Sequence, residues 1–275
     1  MKNNFNCLSC LTFITAATLF LAACASNPYA ITNRSYKQQV KAYAKIIGQT
    51  PPATAGEIPD KKSWVGTTNF NLRKPNYVII HHTAQNSAEQ TLKTFTMPRT
   101  QVSAHYVIGK DGTVYHMLND YLRAWQAGNA KWSGSTDINS NSIGIELDNN
   151  GFVPFTEPQI NSLLLLLSTL KKAYNIPTAN FIGHGDIAPG RKVDPSKYFP
   201  WKTLAEHGFG NWYDAVLDTV PRNFNAMQTM RVIGYDTRDS VAALLAFKRH
   251  FTPQDSTRMM TDSGRMILNN LVRKY

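Results

Sequence analysis

Apolar and polar positions divide the chain into regimes with different patterning. From Leu8 to Cys24 nearly every residue is apolar or small, and Lys2 is the only charge before Arg34. Residues 24–75 then turn polar, with Pro51-Pro52, many Ser, Thr and Asn, and one helix-compatible stretch around Ser35 to Ile47. That make-up reads as a tether. The pattern tightens at Tyr77–Thr83 (YVIIHHT), β-branched and aromatic enough for a buried strand. Ser87 with Gln90 three residues on opens a short helix to about Thr94. Two β-rich arms flank Asp111-Gly112 between Ala104 and Met117, a hairpin signal. Ser142–Leu147 (SIGIEL) predicts a second buried strand, Glu157–Tyr174 a helix with Leu163–Leu167 at its centre and Lys171-Lys172 near its end, and Asn180–His184 a short strand before a Pro- and Gly-rich loop. Strands, hairpin and helices interleave, so the fold class is α/β: a mixed central sheet flanked by helices over residues 76–215.

Residues 222–275 change character again. Asn225–Ile233 reads as a short helix stopped by Gly234. Val241, Leu244, Leu245 and Phe251 stripe a second, and Ile267, Leu268, Leu271 and Val272 a third. The segment carries 9 basic and 4 acidic residues. It is expected as a separate three-helix module; the plainer alternative is a helical annex packed on the first domain.

Charge and cysteine usage narrow the class of protein. Lys and Arg outnumber Asp and Glu by 29 to 18 in 275 residues, a net charge of +11, which favours an anionic partner. All three cysteines, Cys7, Cys10 and Cys24, lie in the first 24 positions, so the body holds no disulfide, no cysteine-ligated metal and no cysteine nucleophile. One early charge, a short apolar run and a small-residue end make residues 1–23 a signal peptide rather than a membrane span. The body is therefore expected outside the cytoplasm, where nucleic acid is not its partner. Leu21-Ala22-Ala23-Cys24 resembles the lipobox of bacterial lipoproteins, whose cysteine is acylated and becomes the first residue. Ala25 after it implies the outer membrane, with the body facing the periplasm.

The chain has no G-x-S-x-G, Walker loop, H-E-x-x-H or dinucleotide-type glycine motif. What remains are histidines with nearby carboxylates. His81 and His82 are adjacent on a strand and face opposite ways, so at most one joins a given site. His184 ends a strand, and the stiff loop after it returns Asp194 ten residues later. Glu146 lies on the face of its strand opposite Ile143, Ile145 and Leu147, where an acid needs a reason to sit. Two histidines and an aspartate would make a three-ligand zinc site with an open fourth position. Satisfied core histidines and ion-paired acids are the alternative.

The motifs IHHTA (80–84), VSAHYVI (102–108), DGTVYHML (111–118), SIGIELDN (142–149) and HGDIAPGRKVDP (184–195) resemble, in order, those of the zinc-dependent N-acetylmuramoyl-L-alanine amidases related to peptidoglycan recognition proteins. IGYD (233–236) and AFKRHF (246–251) resemble that family's small helical peptidoglycan-binding domain. The resemblance implies one zinc per chain on His81, His184 and Asp194, catalytic roles for Glu146 and Lys192, and peptidoglycan or its muropeptides as substrate. It leaves His105 and Trp125 as groove or substrate-contact candidates, and His82 and His116 as structural. Where the family often has histidine after the tryptophan, this chain has Gln126; that departure is expected to touch substrate contacts and leave the metal site alone. Two rivals follow from the same residues: a zinc peptidase cutting within the stem peptide, and a non-catalytic recognition module.

Overall fold

The computed structural model describes residues 27–48, 66–72 and 74–275. The signal segment, Cys24 and much of the tether lie outside the described residues. Within the tether, α1 (Ala30–Ile47) is a helix with no buried residue, longer at its start than the sequence pattern indicated. Among the described residues no helix is long and apolar enough to cross a membrane.

Residues 71–275 form one compact unit. Its centre is a five-stranded sheet in the order β3-β2-β4-β1-β5, built from β1 (Tyr77–His82), β2 (Tyr106–Ile108), β3 (Val114–His116), β4 (Ser142–Leu147) and β5 (Phe181–Gly183). Strands β2, β4, β1 and β5 run parallel, and β3 joins antiparallel at the edge through the Asp111-Gly112 turn. The sheet is therefore mixed. The helices of this part are α2 (Ala88–Phe95), α3 (Glu157–Tyr174), the single turn α4 (His184–Ile187) and α5 (Trp201–Glu206). Capping sets several of their starts. Ser87 Oγ accepts from Gln90 N and Thr156 Oγ1 from Gln159 N, satisfying amides that have no partner within the helix.

The four parallel strands are buried on both faces, as parallel strands covered by helices must be, whereas the edge strand β3 is largely exposed. One face, carrying Val78, Ile80, Ile143, Ile145 and Leu147, packs against Leu163, Leu167 and Leu170 of α3 and against Trp201 and Leu204 of α5. The i, i+4, i+7 leucines of α3 are fully buried, Leu164 and Leu166 pack beside them half-buried, and Leu165 is exposed.

The other face is covered by the C-terminal segment, which forms α6 (Ala226–Ile233), α7 (Ser240–Phe251) and α8 (Asp262–Leu271). Here the structure departs from a separate module. Met230, Ile233, Leu244, Phe247, Phe251, Ile267, Leu268 and Leu271 share one core with Ile79, Ile182, Ile187 and Trp132. The apolar stripes of the three helices meet one another and close over the sheet. The inward face of α7 also differs from the expected stripe: Ala243, Leu244, Ala246, Phe247 and Phe251 are buried, while Val241 is exposed.

Polar contacts lock the layer in place. Buried Asp186 accepts from the Tyr235 hydroxyl at Oδ1 (2.9 Å), while its Oδ2 accepts from Gly183 N (2.9 Å) and pairs with His250 Nδ1 (2.8 Å). His250 stacks on Trp201 at 4.0 Å. Lys248, also buried, spends its three donors on the 255–259 turn: Thr257, the Met259 carbonyl and Asp255. A buried ammonium without such partners would cost several kcal/mol.

Candidate functional site

The site forms where the two central strands end. Parallel pairing of β1 with β4 sets His81 directly opposite Glu146, so both side chains emerge on the same face, at the C-terminal ends of their strands. Loops gather there by topology, which is why such ends present chemistry. β5 finishes beside β1, and His184 begins α4 immediately after it. The following loop brings Asp194 back to the two histidines. His81 Nδ1 stands 3.0 Å from His184 Nδ1 and 3.0 Å from Asp194 Oδ2, and His184 Nδ1 stands 2.9 Å from Asp194 Oδ2. All three residues are buried or nearly so.

The far side of each ring tells which nitrogen carries hydrogen. His81 Nε2 lies 2.5 Å from Gln126 Oε1, and His184 Nε2 lies 3.1 Å from the Ala127 carbonyl. Both partners only accept, so each Nε2 donates and each Nδ1 turns a lone pair inward. The orientation of Gln126 follows from its neighbours. The Ser142 hydroxyl donates to the Ile138 carbonyl (2.6 Å), so it must accept from the Gln126 amide nitrogen (2.8 Å). In their neutral forms two imidazole lone pairs and a carboxylate oxygen thus converge within about 3 Å of one another. Such a cluster is repulsive unless a cation sits among them. These three residues can hold a metal ion.

Electrostatics follow the same geometry. Asp194 is held well below the usual carboxylate range: burial opposes its ionisation, but hydrogen bonds and charge from His184 and His81 outweigh it. His184 is pushed down to about 4 by burial and by His81, which keeps it neutral and able to ligate. On His81 burial disfavours charge, yet Glu146, Asp194 and Gln126 together raise its pKa.

Glu146 is not part of the triangle. Its Oε1 is 4.0 Å from His81 Nδ1, and its Oε2 is buried with no hydrogen-bond partner. Burial lifts its pKa from 4.5 to about 7, with Asp194 adding to the rise and His81 and Lys192 opposing it. Lys192 is partly exposed on the loop between His184 and Asp194, close enough for its charge to act on Glu146. An uncompensated acid beside a metal-binding triangle is a group available for proton transfer.

Other candidates fall elsewhere. His105, expected in the groove, is fully buried. Its Nδ1 accepts from Gly144 N (3.1 Å) and its Nε2 donates to the Leu122 carbonyl (3.0 Å), so it ties backbone to backbone and has no face for substrate. Trp125 is 53% exposed and immediately precedes Gln126, so its ring stays available at the surface. His82 faces away from the triangle and accepts from Ser196 N. His116 stacks on Tyr106 at the sheet edge. The structure also corrects the view of Gln126: the residue contacts His81 itself. Arg191, unremarked in the sequence, donates to the Ala127 carbonyl (2.6 Å) and lies 3.3 Å from His184 Nε2. Its place in the 184–195 motif is the one signal that could have pointed to it.

Comparisons with known proteins agree with this geometry. Residues 71–197 match the family described as N-acetylmuramoyl-L-alanine amidase. The chain is 28% identical to N-acetylmuramoyl-L-alanine amidase AmiD of Escherichia coli, over 96% of this chain and 97% of that protein. The solved complex of E. coli AmiD with the substrate anhydro-N-acetylmuramic acid-L-Ala-D-gamma-Glu-L-Lys superposes with a TM-score of 0.67, covering 76% of this chain and 93% of that one at 28% identity. AmpDh3 from Pseudomonas aeruginosa, in complex with anhydromuramic pentapeptide, gives a TM-score of 0.68 over 80% of this chain and 99% of that one, also at 28% identity.

Proposed function

We propose that this chain, which belongs through residues 71–197 to the N-acetylmuramoyl-L-alanine amidase family, hydrolyses the amide between the lactyl group of N-acetylmuramic acid and L-alanine in peptidoglycan or its muropeptides. The observation that carries the reading is the lone-pair triangle of His81, His184 and Asp194 with Glu146 beside it. The donor set fits zinc: two neutral imidazoles and one carboxylate are its catalytic ligands, and their 2.9–3.0 Å separations approach the roughly 3.3 Å between ligand atoms of a tetrahedral site with bonds of about 2.0–2.1 Å. Zinc held there supplies a Lewis acid and lowers the pKa of water to about 7, making a nucleophile at neutral pH.

The chain's own residues do the rest. Glu146, ionised near neutrality and unpaired at Oε2, takes the proton of the attacking water and delivers it to the departing alanine nitrogen. Lys192 sets its ammonium against the negative charge that develops on the lactyl carbonyl oxygen. Trp125 offers an exposed aromatic face to the substrate. Asp194 stays anionic and His184 neutral, while His81, whose proton is held more tightly in the metal-free chain, gives that proton up on taking a metal.

The bound substrates of the two solved relatives favour anhydromuramyl peptides as substrates here. The convergence of His81, His184 and Asp194 into a group that could hold a metal ion argues against a purely recognising module. The second rival, cleavage within the stem peptide, uses the same machinery on a different bond. The Leu21–Cys24 lipobox supports acylation of Cys24 and anchoring in the outer membrane, facing the periplasm. The basic helices α6–α8 support contact with the anionic wall around the substrate.

Hydrolysis in ¹⁸O-water tests the bond assignment. Amide hydrolysis places the water oxygen on the acyl side, so one ¹⁸O belongs on the muramic lactyl carboxylate and none on the released peptide. Label on a peptide carboxylate would mean cleavage within the stem and overturn the reading.

A further inference from the structure

Both inward-facing histidines are held from behind by one dipeptide. Gln126 accepts from His81 Nε2 through its side chain, and Ala127 accepts from His184 Nε2 through its backbone carbonyl. The dipeptide is itself held: Gln126 N (3.1 Å) and Ala127 N (2.9 Å) both donate to Asn139 Oδ1. Ser142 fixes which way the Gln126 amide points, as its single proton is committed to the Ile138 carbonyl. Space has been left for this arrangement. A Cβ on Gly144 would lie 2.6 Å from Gln126 Cγ and 3.0 Å from Cδ, so the glycine in SIGIEL lets the glutamine cross the sheet face to reach His81. Arg191, donating to the same Ala127 carbonyl, closes the bracket on the other side.

From this we infer that Gln126 is a positioning residue for the metal centre, fixing the tautomer and ring orientation of His81 while its backbone partner Ala127 does the same for His184. The inference rests on the metal reading of the triangle, though not on which bond is cut. A carboxamide suits the task for a physical reason. Its oxygen can only accept, so His81 Nε2 must keep the hydrogen and Nδ1 must face the centre; its amide is pinned by Ser142, so the two ends cannot exchange. An imidazole in this position could present either a donor or an acceptor to His81. Outer partners of this kind typically change metal affinity by about 10–100-fold when removed.

The test measures zinc affinity of the purified full chain by competition with a chromophoric chelator, alongside the visible spectrum of the cobalt-substituted protein. Gln126→Met keeps length and apolar bulk but lacks a comparable acceptor, and should weaken zinc by about 10–100-fold and alter the cobalt spectrum. Gln126→Glu keeps an acceptor toward Nε2–H, and should retain zinc affinity near that of the parent. Ser142→Ala frees the carboxamide, a loss of one hydrogen bond, and should weaken zinc by about 2–10-fold in the parent but have no effect in a Gln126→Met background. Parent-like zinc affinity in Gln126→Met, equal weakening by Met and Glu, or equal effects of Ser142→Ala in both backgrounds would each overturn the inference. Should Gln126→Met fail to fold, parent-like zinc affinity and an unchanged cobalt spectrum in Ser142→Ala would overturn the inference instead. Failure of the parent itself to bind zinc would instead overturn the metal reading beneath it.

Discussion

Replacing Glu146 with glutamine should push stability and turnover in opposite directions. The folded, metal-free chain raises this carboxyl from 4.5 to about 7, chiefly by burial, and leaves Oε2 without a partner. In the unfolded chain the group ionises near its ordinary value. Folding therefore gains from the retained proton below about pH 4.5, and that gain is lost as pH rises through 7. The shift corresponds to about 3 kcal/mol, a large share of the 5–15 kcal/mol by which domains are normally stable. Glutamine has the same shape and no ionisation. Urea denaturation of chelator-stripped proteins should find Glu146→Gln more stable than the parent by about 3 kcal/mol at pH 8, with the difference shrinking as pH falls and approaching zero below about pH 4.5. The zinc-loaded variant should meanwhile lose about 10²–10⁴ in kcat with little change in KM. A stability difference that is absent at pH 8, or constant across the range, would refute the claim that burial of an unpaired carboxyl stores this energy. Near-parental kcat would refute Glu146 as the proton carrier.

Three further outcomes follow from the same geometry. Lys192→Ala should keep zinc and fold but lose about 10²–10³ in kcat, with the acid limb of the pH–rate profile retained, as measured by steady-state kinetics and metal analysis. Truncation after residue 221 uncovers Ile79, Ile182, Ile187 and Trp132, worth at most about 6–12 kcal/mol at 1.5–3 each, so circular dichroism should show no cooperative thermal transition; a stably folded, active fragment would mean that the helical layer is dispensable. Cys24→Ser should leave the membrane fraction or accumulate unprocessed, and parent-like membrane association at processed size would exclude acylation there.

Strands β1 and β4 and helix α3 are legible because local pattern and burial coincide: a β-branched run bounded by polar residues, and a leucine-rich stretch too long for a strand, with Lys171-Lys172 near its end where cations suit a helix. The pair His81 and Glu146 is legible for the same reason, since strand alternation assigns each a face before any pairing is known. Asp194 could be nominated because a proline-stiffened loop has few ways to return. Gln126 could not. Its contact with His81 depends on a loop crossing the sheet over Gly144 and on two supports, Asn139 and Ser142, more than ten residues away in sequence. His105 misled because its motif neighbours line a site, whereas its own two nitrogens are consumed by the Gly144 and Leu122 backbones. The C-terminal helices looked autonomous because amphipathic stripes reveal that a face is buried and not against what; Asp186, joined to Tyr235 and His250, shows that the partner is the metal-loop end of the sheet.

The proposed chemistry begins at the metal triangle of His81, His184 and Asp194. Titrating zinc into chelator-stripped enzyme, while following release of L-alanyl peptide from an anhydromuramyl peptide, should restore turnover linearly and saturate at one zinc per chain, and the same titration of Asp194→Ala should restore almost none. Full turnover in the stripped enzyme, or parental recovery by the Asp194 variant, would contradict it.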